Sequence, residues 1–281
     1  MAVSSIASGM KSKEFHDLSE LALNSNGQSW GNLGYWTDGE DSYSNACRAL
    51  AVQLGATAEL NQDSILFDAG FGCGDQLCLW LEHYQVSDVC GINLSESQTQ
   101  HAKSLLSKNG HSEKPNAIFV GSANDGEMWP EVIGTRKISH MIALDCAYHF
   151  PNRVNFFDLT ISHLKTGSKL ALTDFMLADQ AQSKLAYRLL LSLMFRLSRI
   201  PKSNIVDQTT YKAELEAIGF HNIQIRDISQ PVIDGFAHWV RSQTAMRLPF
   251  FARVKYRTTA AFLNWAYNRS ILRYAVIVAE K

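Results

Sequence analysis

A glycine-rich turn between a short apolar run and an amphipathic segment constrains this chain more than any other feature. Residues 65–67 (Ile-Leu-Phe) predict a buried strand that ends on Asp68, and apolar side chains at helical spacing follow the turn. Gly70, Gly72 and Gly74 stand between the two segments. Glycine adopts positive φ and lets the backbone approach a ligand, and the first turn of the helix offers unpaired N–H groups at the same place. The sequence therefore predicts a strand–turn–helix unit that binds a small ligand.

The spacing of these glycines excludes two common nucleotide sites. A dinucleotide fingerprint needs a further glycine where Asp75 or Leu77 stands, and a phosphate-binding loop needs a lysine directly after Gly74. The remaining pattern is acid-x-G-x-G-x-G, with Asp68 before the turn and Asp75 after it. Two carboxylates repel a pyrophosphate but suit a cationic, zwitterionic ligand. The pattern resembles motif I of the class I S-adenosylmethionine-dependent methyltransferases; the alternative is a plain tight turn in an α/β domain.

The resemblance implies an α/β fold, a doubly wound Rossmann-like sheet of seven strands with an antiparallel last strand, plus helical lid insertions. Apolar runs predict the later strands at residues 86–93, 117–120, 138–144, 169–173, 220–227 and 274–280. Amphipathic segments predict helices at 42–54, 154–164, 179–199 and 209–218. We expect a flexible N-terminal arm over residues 1–30 and a methyltransferase domain over 31–281, with helical insertions at about 177–206 and 231–272.

The bulk composition of the 281-residue chain is that of a globular protein, with 46% hydrophobic and 19% charged residues. A net charge of −1 argues against nucleic acid as a partner. The five cysteines have no C-x-x-C spacing, which excludes the common zinc patterns and indicates a reducing compartment. Residues 1–16 contain no apolar signal-peptide core, and no apolar run reaches the length of a membrane span. We therefore expect a cytoplasmic protein without a metal site.

Asn93 ends the second predicted strand, where a doubly wound sheet holds the ribose of its cofactor. An acidic residue usually accepts the ribose hydroxyls there; the amide of Asn93 can still accept a hydrogen bond but carries no charge. Ser95 and Gln98 follow at the spacing of a helix capping box. The string Gly91-Ile92-Asn93-Leu94-Ser95-x-x-Gln98 resembles a segment of small-molecule and lipid methyltransferases, including the sterol, tocopherol and methyl-sugar enzymes and the cyclopropane fatty-acid synthases.

The third and fourth predicted strands end in two further polar segments. Ser122-Ala123 stands where the family has an acid and an alanine that bind adenine, and Asn124 or Asp125 could replace the missing acid. The segment from Asp145 to Phe150 resembles the [ED]-x-x-x-H-[FM] stretch of the methyl-sugar, sterol and tocopherol enzymes, with His149 on the family histidine. Because strand carboxyl ends face the ligand crevice of an open sheet, we expect both segments to line it.

The resemblance assigns catalysis to His149, Asp174 and Tyr148. A neutral histidine can accept a proton near physiological pH, since its ordinary pKa is ~6.5, and Asp174 at the end of the fifth predicted strand could orient it or approach the acceptor. The alternatives are a structural hydrogen-bonding histidine and a loop or capping carboxylate. The predicted binding residues for S-adenosylmethionine are Tyr35, Trp36, Asp68, Gly70, Gly72, Gly74, Gln76, Asn93, Leu94, Gln98, Ser122, Ala123 and Asp145.

Three segments outside the core motifs admit two interpretations each. Tyr35 and Trp36 could form a lid over the methionyl end of the cofactor or plug a sheet edge, since two adjacent aromatics are rarely exposed. The helix at 179–199 could be a lid of the substrate pocket or an ordinary core helix. The insertion at 231–272 is aromatic and basic, which favours an apolar acceptor with an anionic group or one taken from a membrane surface; the alternative is a solvated charged face.

We therefore expect methyl transfer from S-adenosylmethionine to a small, apolar natural-product or lipid-like acceptor, through a hydroxyl, with an amine or carbon as alternatives. A cyclopropane-synthase-like enzyme is the second hypothesis, but Tyr148 replaces the Glu of its E-H-F segment and the loop is not G-C-G-W-G. A non-catalytic protein of the same fold is the third, because Asn93 and Ser122 depart from the family pattern. A nicotinamide oxidoreductase is excluded by the glycine spacing.

Overall fold

The computed structural model describes residues 23–24, 27–37, 42–178, 185–242 and 250–281. The central sheet has the order β3-β2-β1-β4-β5-β7-β6. Its strands are β1 (Ile65–Ala69), β2 (Asp88–Asn93), β3 (Ile118–Val120), β4 (His140–Ala143), β5 (Lys169–Leu177), β6 (His221–Asp227) and β7 (Leu272–Glu280). All neighbours pair in parallel except β7, which is antiparallel to both β5 and β6. The predicted seven-stranded fold with an antiparallel last strand is confirmed.

Helices cover both faces of the sheet. They are α1 (Tyr43–Thr57), α2 (Asp75–Glu82), α3 (Glu96–Lys108), α4 (Trp129–Ile133), α5 (Arg153–His163), α6 (Leu185–Leu197), α7 (Gln208–Ile218), α8 (Gly235–Arg241) and α9 (Phe250–Asn268). Successive residues of a strand point to opposite faces. Accordingly, Ile142 of β4 belongs to an apolar cluster with α1, α2, α3, α8 and α9, whereas Met141 and Ala143 belong to a second cluster with α4, α5 and α7.

Local sequence signals explain where several helices begin and end. The Ser95 side chain accepts a hydrogen bond from the backbone N–H of Gln98, as the predicted capping box requires. Asp207 and Asn152 cap α7 and α5 in the same way. Gly219 ends α7 in the left-handed conformation, with φ of 111°. These caps fix the helix starts at the carboxyl edge of the sheet.

Strand β5 is longer than the sequence predicts, and this changes the position of Asp174. The apolar run suggests an end at Thr173, but the ladder with β7 continues to the pair Leu177–Leu272. Asp174 therefore lies inside the strand, opposite Ala275, rather than at its carboxyl end. The partner strand extends the pairing because β7 begins at Leu272 and offers backbone groups over its full length.

Several predictions fall wholly or partly outside the described residues: most of the arm predicted over 1–30, the first part of the helix predicted at 179–199, and residues 243–249 of the second insertion. Leu23 and Trp30 are buried, so packed structure begins before residue 31. The domain boundaries and insertion limits stay predictions. In the part of the chain that the structure describes, no helix combines the length and apolar character needed to cross a bilayer.

Candidate active site

The glycine turn after β1 has one open side. Gly70, Gly72 and Gly74 have φ of 85°, 59° and 102°. A Cβ at Gly70 would lie 2.8 Å from Cys146 Sγ, and one at Gly74 would lie 2.8 Å from Ala102 Cβ. A Cβ at Gly72 would meet no protein atom within 4 Å. Gly70 and Gly74 are therefore needed for packing against the protein, whereas Gly72 leaves space above the turn.

Asp68 braces the turn from the inside. Its buried carboxylate accepts two 2.9 Å hydrogen bonds from Gln76 Nε2 and one of 2.7 Å from Trp80 Nε1. Burial raises the pKa of Asp68 to about 6, against the lowering effect of these donors. The carboxylate thus ties the end of β1 to α2. The sequence predicts Asp68 and Gln76 as cofactor-binding residues but does not identify Trp80.

Asn93 connects the turn to the start of α3. Its Oδ1 accepts a 3.2 Å hydrogen bond from the backbone N–H of Gly72, and its Nδ2 donates to the carbonyl of Ser95 and to Gln98 Oε1, each at 3.3 Å. Three of the predicted cofactor-binding residues therefore meet in one network. Leu94 lies beside it with 75% of its surface exposed, which leaves an apolar side chain at this edge for contact with a ligand.

The backbone of residues 28–33 crosses the carboxyl edge of the sheet. The Ser29 N–H donates to Asp75 Oδ2 at 3.0 Å, and the Leu33 N–H donates to Asp145 Oδ2 at 2.8 Å. Ser29 Oγ also lies 2.8 Å from Nε2 of His101. The two carboxylates are predicted from the sequence, but their partners in this segment are not, because backbone donors leave no sequence signal.

Asp145 is the centre of a second network, and its backbone has a positive φ of 54°. It accepts hydrogen bonds from the hydroxyls of Tyr148, at 2.8 Å, and of Tyr274. The Tyr274 oxygen also lies 2.9 Å from Thr173 Oγ1. Burial raises the pKa of Asp145 to about 6 and raises that of Tyr148 well above its usual range. Tyr274 stands 129 residues after Asp145, so only the sheet pairing brings the two together.

His149 lies on a short turn that Asn204 holds in place. Asn204 Nδ2 donates to the carbonyls of Tyr148, at 3.2 Å, and of Phe150, at 2.6 Å. The Tyr148 and His149 rings lie 4.4 Å apart. Because both peptide carbonyls next to His149 are fixed, Asn204 positions the histidine. Asn204 itself is buried and was not identified from the sequence.

A mainly apolar cavity of about 100 Å³ lies against Tyr148 and His149. Its other lining residues come from the N-terminal segment, β5, β7, α9, α6 and the residues just after α6: Leu33, Phe175, Met194, Phe195, Ser198, Ile200, Thr259, Phe262, Leu263 and Leu272. A titratable side chain at the wall of an apolar cavity is the usual arrangement of a small-molecule site. The cavity therefore brings two of the predicted catalytic residues together.

Asp174 does not line this cavity. It is fully buried, and its Oδ2 accepts hydrogen bonds from Arg153 Nη1, at 3.1 Å, and from the Tyr211 hydroxyl, at 2.9 Å. Its Oδ1 accepts from the N–H of Phe175 at 2.8 Å. Arg153 also pairs with Glu214 at 3.0 Å. Burial raises the pKa of Asp174, and Arg153 opposes that rise. This geometry supports a structural role for the carboxylate.

Tyr35 and Trp36 are half-buried and pack away from the cavity. The Trp36 ring stacks on Trp239 of α8 with 5.2 Å between centroids, and its Nε1 donates to the Leu33 carbonyl at 2.8 Å. Tyr35 lines a separate surface cleft with Arg48 and other residues of α1. These contacts favour the packing interpretation over a lid.

The loop after β3 contains one buried acceptor without a donor. Ser122 Oγ accepts from the backbone N–H of Asn124 at 3.2 Å, and Ala123 is buried. Asn124 Nδ2 donates to the Asn152 carbonyl, but its buried Oδ1 has no hydrogen-bond partner in the described part of the chain. Such groups are rare in proteins. Asn124 is therefore a better candidate for a ligand contact here than Ser122.

The pH dependence of stability tests the environment of Asp75. Burial raises the pKa of Asp75 to about 6, whereas an unfolded aspartate titrates near ~3.9. Between these values the folded protein holds the proton more strongly than the unfolded chain, so the contribution of Asp75 to stability falls as pH rises. Asp75→Asn keeps an acceptor for Ser29 and removes the charge. We expect the unfolding free energy of this variant, relative to wild type, to rise from pH ~4 to ~6 and then stay level.

Denaturant titrations at several pH values measure that difference. A difference that does not change with pH would show that the Asp75 carboxylate is not desolvated in the folded protein.

Comparisons with known proteins identify the family and the fold of this chain. Residues 41–225 match the family model described as a methyltransferase domain. The erythromycin 3''-O-methyltransferase of Saccharopolyspora erythraea is 27% identical over 243 residues, which cover 82% of this chain and 76% of that enzyme. The 27-O-demethylrifamycin SV methyltransferase of Amycolatopsis mediterranei is 26% identical and covers 72% of each chain. The solved structure of a geranyl diphosphate methyltransferase with GPP and sinefungin has a TM-score of 0.72 at 13% identity and covers 94% of both chains.

Proposed function

The chain belongs to the methyltransferase domain family, and from that premise we propose that it methylates a hydroxyl group of an apolar natural product. The observation that carries the proposal is the position of His149 at the wall of an apolar cavity. Two relatives are named as O-methyltransferases or methyltransferases of erythromycin- and rifamycin-type compounds, which supports the same kind of acceptor. S-adenosylmethionine, when bound, supplies a methyl group on a sulfonium that is already activated for displacement.

The residues around the glycine turn fit this cofactor. Gly72 leaves open space, and the nearby carboxylates of Asp75 and Asp145 favour a cationic ligand over a phosphate. Asn93, at the end of β2, would meet the ribose, and the exposed Leu94 would pack on the nucleoside. Asp68, Gln76 and Gln98 would act by holding this frame in shape.

The adenine contact is assigned to the loop after β3. Ser122 stands where the family has an acid, but its hydroxyl already accepts a hydrogen bond from the backbone of Asn124. The buried Oδ1 of Asn124 needs a donor, which the amino group of adenine would supply. Ala123 would provide close backbone approach, as the family resemblance implies.

His149 would accept the proton of the acceptor hydroxyl. A positioned base of this kind contributes about 10²–10⁴-fold to the rate of a reaction. Tyr148, bonded to Asp145, would fix one side of the histidine, and Asn204 would fix its backbone. The cavity of about 100 Å³ is smaller than a pocket for a whole natural product, so it would hold the part of the acceptor next to the hydroxyl.

The two remaining hypotheses lose support at particular residues. The glutamate of the cyclopropane-type enzymes is absent from this chain. Tyr148 stands in its place, and the Tyr148 hydroxyl donates a hydrogen bond to Asp145. A non-catalytic binding protein would also have a cavity, but it has no need of a histidine positioned at the cavity wall. The five cysteines are free, which supports the proposal of a reducing, cytoplasmic location. The peripheral membrane contact predicted from the basic insertion stays a proposal. Exposed apolar side chains and cations on α6 and α9 support it.

Binding of S-adenosylhomocysteine tests the cofactor assignment. We expect calorimetry to detect this nucleoside and not NAD, and we expect Gly72→Ala to weaken binding about tenfold or more, because its methyl group enters the open space above the turn. The change keeps a positive φ and should lower stability by only about 1 kcal/mol.

Gly110→Ala is the matched control. Gly110 also has a positive φ, 84°, and open space at its Cβ, but it lies in the loop after α3. The control should lose similar stability and bind the nucleoside as wild type does. Equal affinities of the two variants would reject the proposed position of the cofactor.

A further inference from the structure

The α6–α9 face is the most apolar exposed surface in the described part of the chain. Of nine exposed large apolar side chains, six lie on these two helices. They are Leu189, Leu190, Leu193 and Leu197 on α6, and Phe250 and Val254 on α9. Leu189, Leu193 and Leu197 recur at every fourth residue, so they form one stripe along α6. Each of these three has more than half of its surface exposed, at 63%, 53% and 62%.

The two helices pack on each other as one unit. Tyr187 contacts Trp265 with 5.2 Å between ring centroids, and Phe195 contacts Phe262 at 6.4 Å. Arg269 donates to the Tyr187 hydroxyl at 3.0 Å. The contacts run antiparallel, so the first turns of α9 lie toward the C-terminal end of α6. The α6 stripe is therefore exposed because the opposite side of the helix is the one that packs.

The segments that contain α6 and α9 are positively charged, whereas the rest of the chain has a net negative charge. Residues 185–206 and 250–272 contain eight Lys and Arg residues and no acid, whereas the rest of the chain has 18 Lys and Arg against 27 acids. The cations are Arg188, Arg196, Arg199, Lys202, Arg253, Lys255, Arg257 and Arg269. Such a separation orients a protein of nearly zero net charge in an electric field. The segments that contain these cations also contain the apolar stripe.

We propose that the α6–α9 face docks on the surface of an anionic lipid bilayer. Helices with aliphatic side chains on one face and flanking arginines bind in the interface of such membranes, because the apolar groups enter the acyl boundary while the cations meet the headgroups. A second copy of this chain is a poor occupant, since two faces without any acid would repel each other. The same helices line the cavity next to His149. Docking therefore places the cavity wall next to the lipid bilayer, in which apolar acceptors dissolve.

Co-sedimentation of the full chain with vesicles tests the proposal, without cofactor or acceptor. We expect binding to phosphatidylcholine vesicles with about 30% phosphatidylglycerol, weak binding to pure phosphatidylcholine, and loss of binding at high salt. Arg196→Glu should weaken binding about thirtyfold, because it changes the surface charge by two. Leu193→Ser with Leu197→Ser should weaken binding about tenfold.

Val154→Ser with Lys165→Glu is the matched control, since it removes an exposed apolar side chain and a cation from the region of α5. The control should bind vesicles as wild type does, and all variants should bind S-adenosylhomocysteine equally, which separates this proposal from the methyltransferase proposal. Wild-type affinity for anionic vesicles in both α6 variants would overturn the docking face. So would dimerisation, seen by light scattering, that Leu193→Ser with Leu197→Ser abolishes, or binding to an acidic carrier protein without binding to vesicles.

Discussion

Replacing His149 with alanine lowers the rate of methyl transfer about a hundredfold or more, while the affinity for S-adenosylhomocysteine stays near that of wild type. The expectation follows from the position of the side chain, which lines the apolar cavity rather than the glycine turn. The backbone around it is held by Asn204 through the carbonyls of Tyr148 and Phe150, so removing the imidazole should leave the turn in place. The loss should therefore appear in kcat, with a small change in KM.

The measurement uses methyl-labelled S-adenosylmethionine with hydroxylated erythromycin- and rifamycin-type compounds, the acceptor classes suggested by the relatives. His221→Ala is the control, because this exposed histidine lies on β6, at the edge of the sheet. An unchanged rate for His149→Ala would exclude the histidine as the base. In that case another group would accept the proton, or positioning of the acceptor alone would be sufficient.

The parts of the site that the sequence predicts are those encoded within one strand–turn–helix unit. The three glycines, Asn93 and the Ser95 cap are recognisable because their roles depend on neighbours a few residues away. The seven-stranded fold is what the family resemblance implies, whereas the positions of the strands follow from the apolar runs along the chain. Local periodicity accounts for this success, because it is fixed by the geometry of strands and helices.

The parts that the sequence does not predict depend on contacts between distant residues. Tyr274 reaches Asp145 only because β7 enters the sheet next to β5. Asn204 reaches the His149 turn across 56 residues, and the Leu33 backbone reaches Asp145 across 112. Tyr274, Asn204 and Leu33 belong to no motif. The extension of β5 past Thr173 has the same origin, since pairing with β7 and not local composition sets its end.

Two buried carboxylates belong to local sequence motifs but also depend on hydrogen bonds from residues outside those motifs. Asp68 and Asp145 are predicted from local motifs, and both have a pKa raised to about 6 by burial. Their hydrogen-bond donors include the side chains of Trp80, Tyr148 and Tyr274, which compensate for lost hydration. The site therefore contains carboxylates whose surroundings are already organised. An enzyme gains from this arrangement because little reorganisation is left to the moment of reaction.

Removing the guanidinium of Arg153 should produce the largest loss of stability of any change considered for this protein. Arg153 is 1% exposed and Asp174 is fully buried, so their ion pair is out of contact with water. Arg153→Met leaves the Asp174 carboxylate buried with only Tyr211 and the Phe175 N–H as partners. Breaking a buried pair by removing one partner costs about 3–5 kcal/mol, and we expect that loss in the unfolding free energy at pH ~7.

Two variants and one pH series make the prediction specific. Lys212→Met removes an exposed pair with Glu216, at 3.6 Å and one helical turn apart, and should cost less than about 0.5 kcal/mol. Asp174→Asn added to Arg153→Met should restore much of the stability, because no charge is then left buried.

Loss of Arg153 also removes the interaction that opposes the raised pKa of Asp174, so the folded variant holds that proton more strongly than wild type does. The stability gap between the variant and wild type should therefore narrow as pH falls. A gap of less than about 1 kcal/mol at pH ~7 would mean that water reaches this pair in the folded protein.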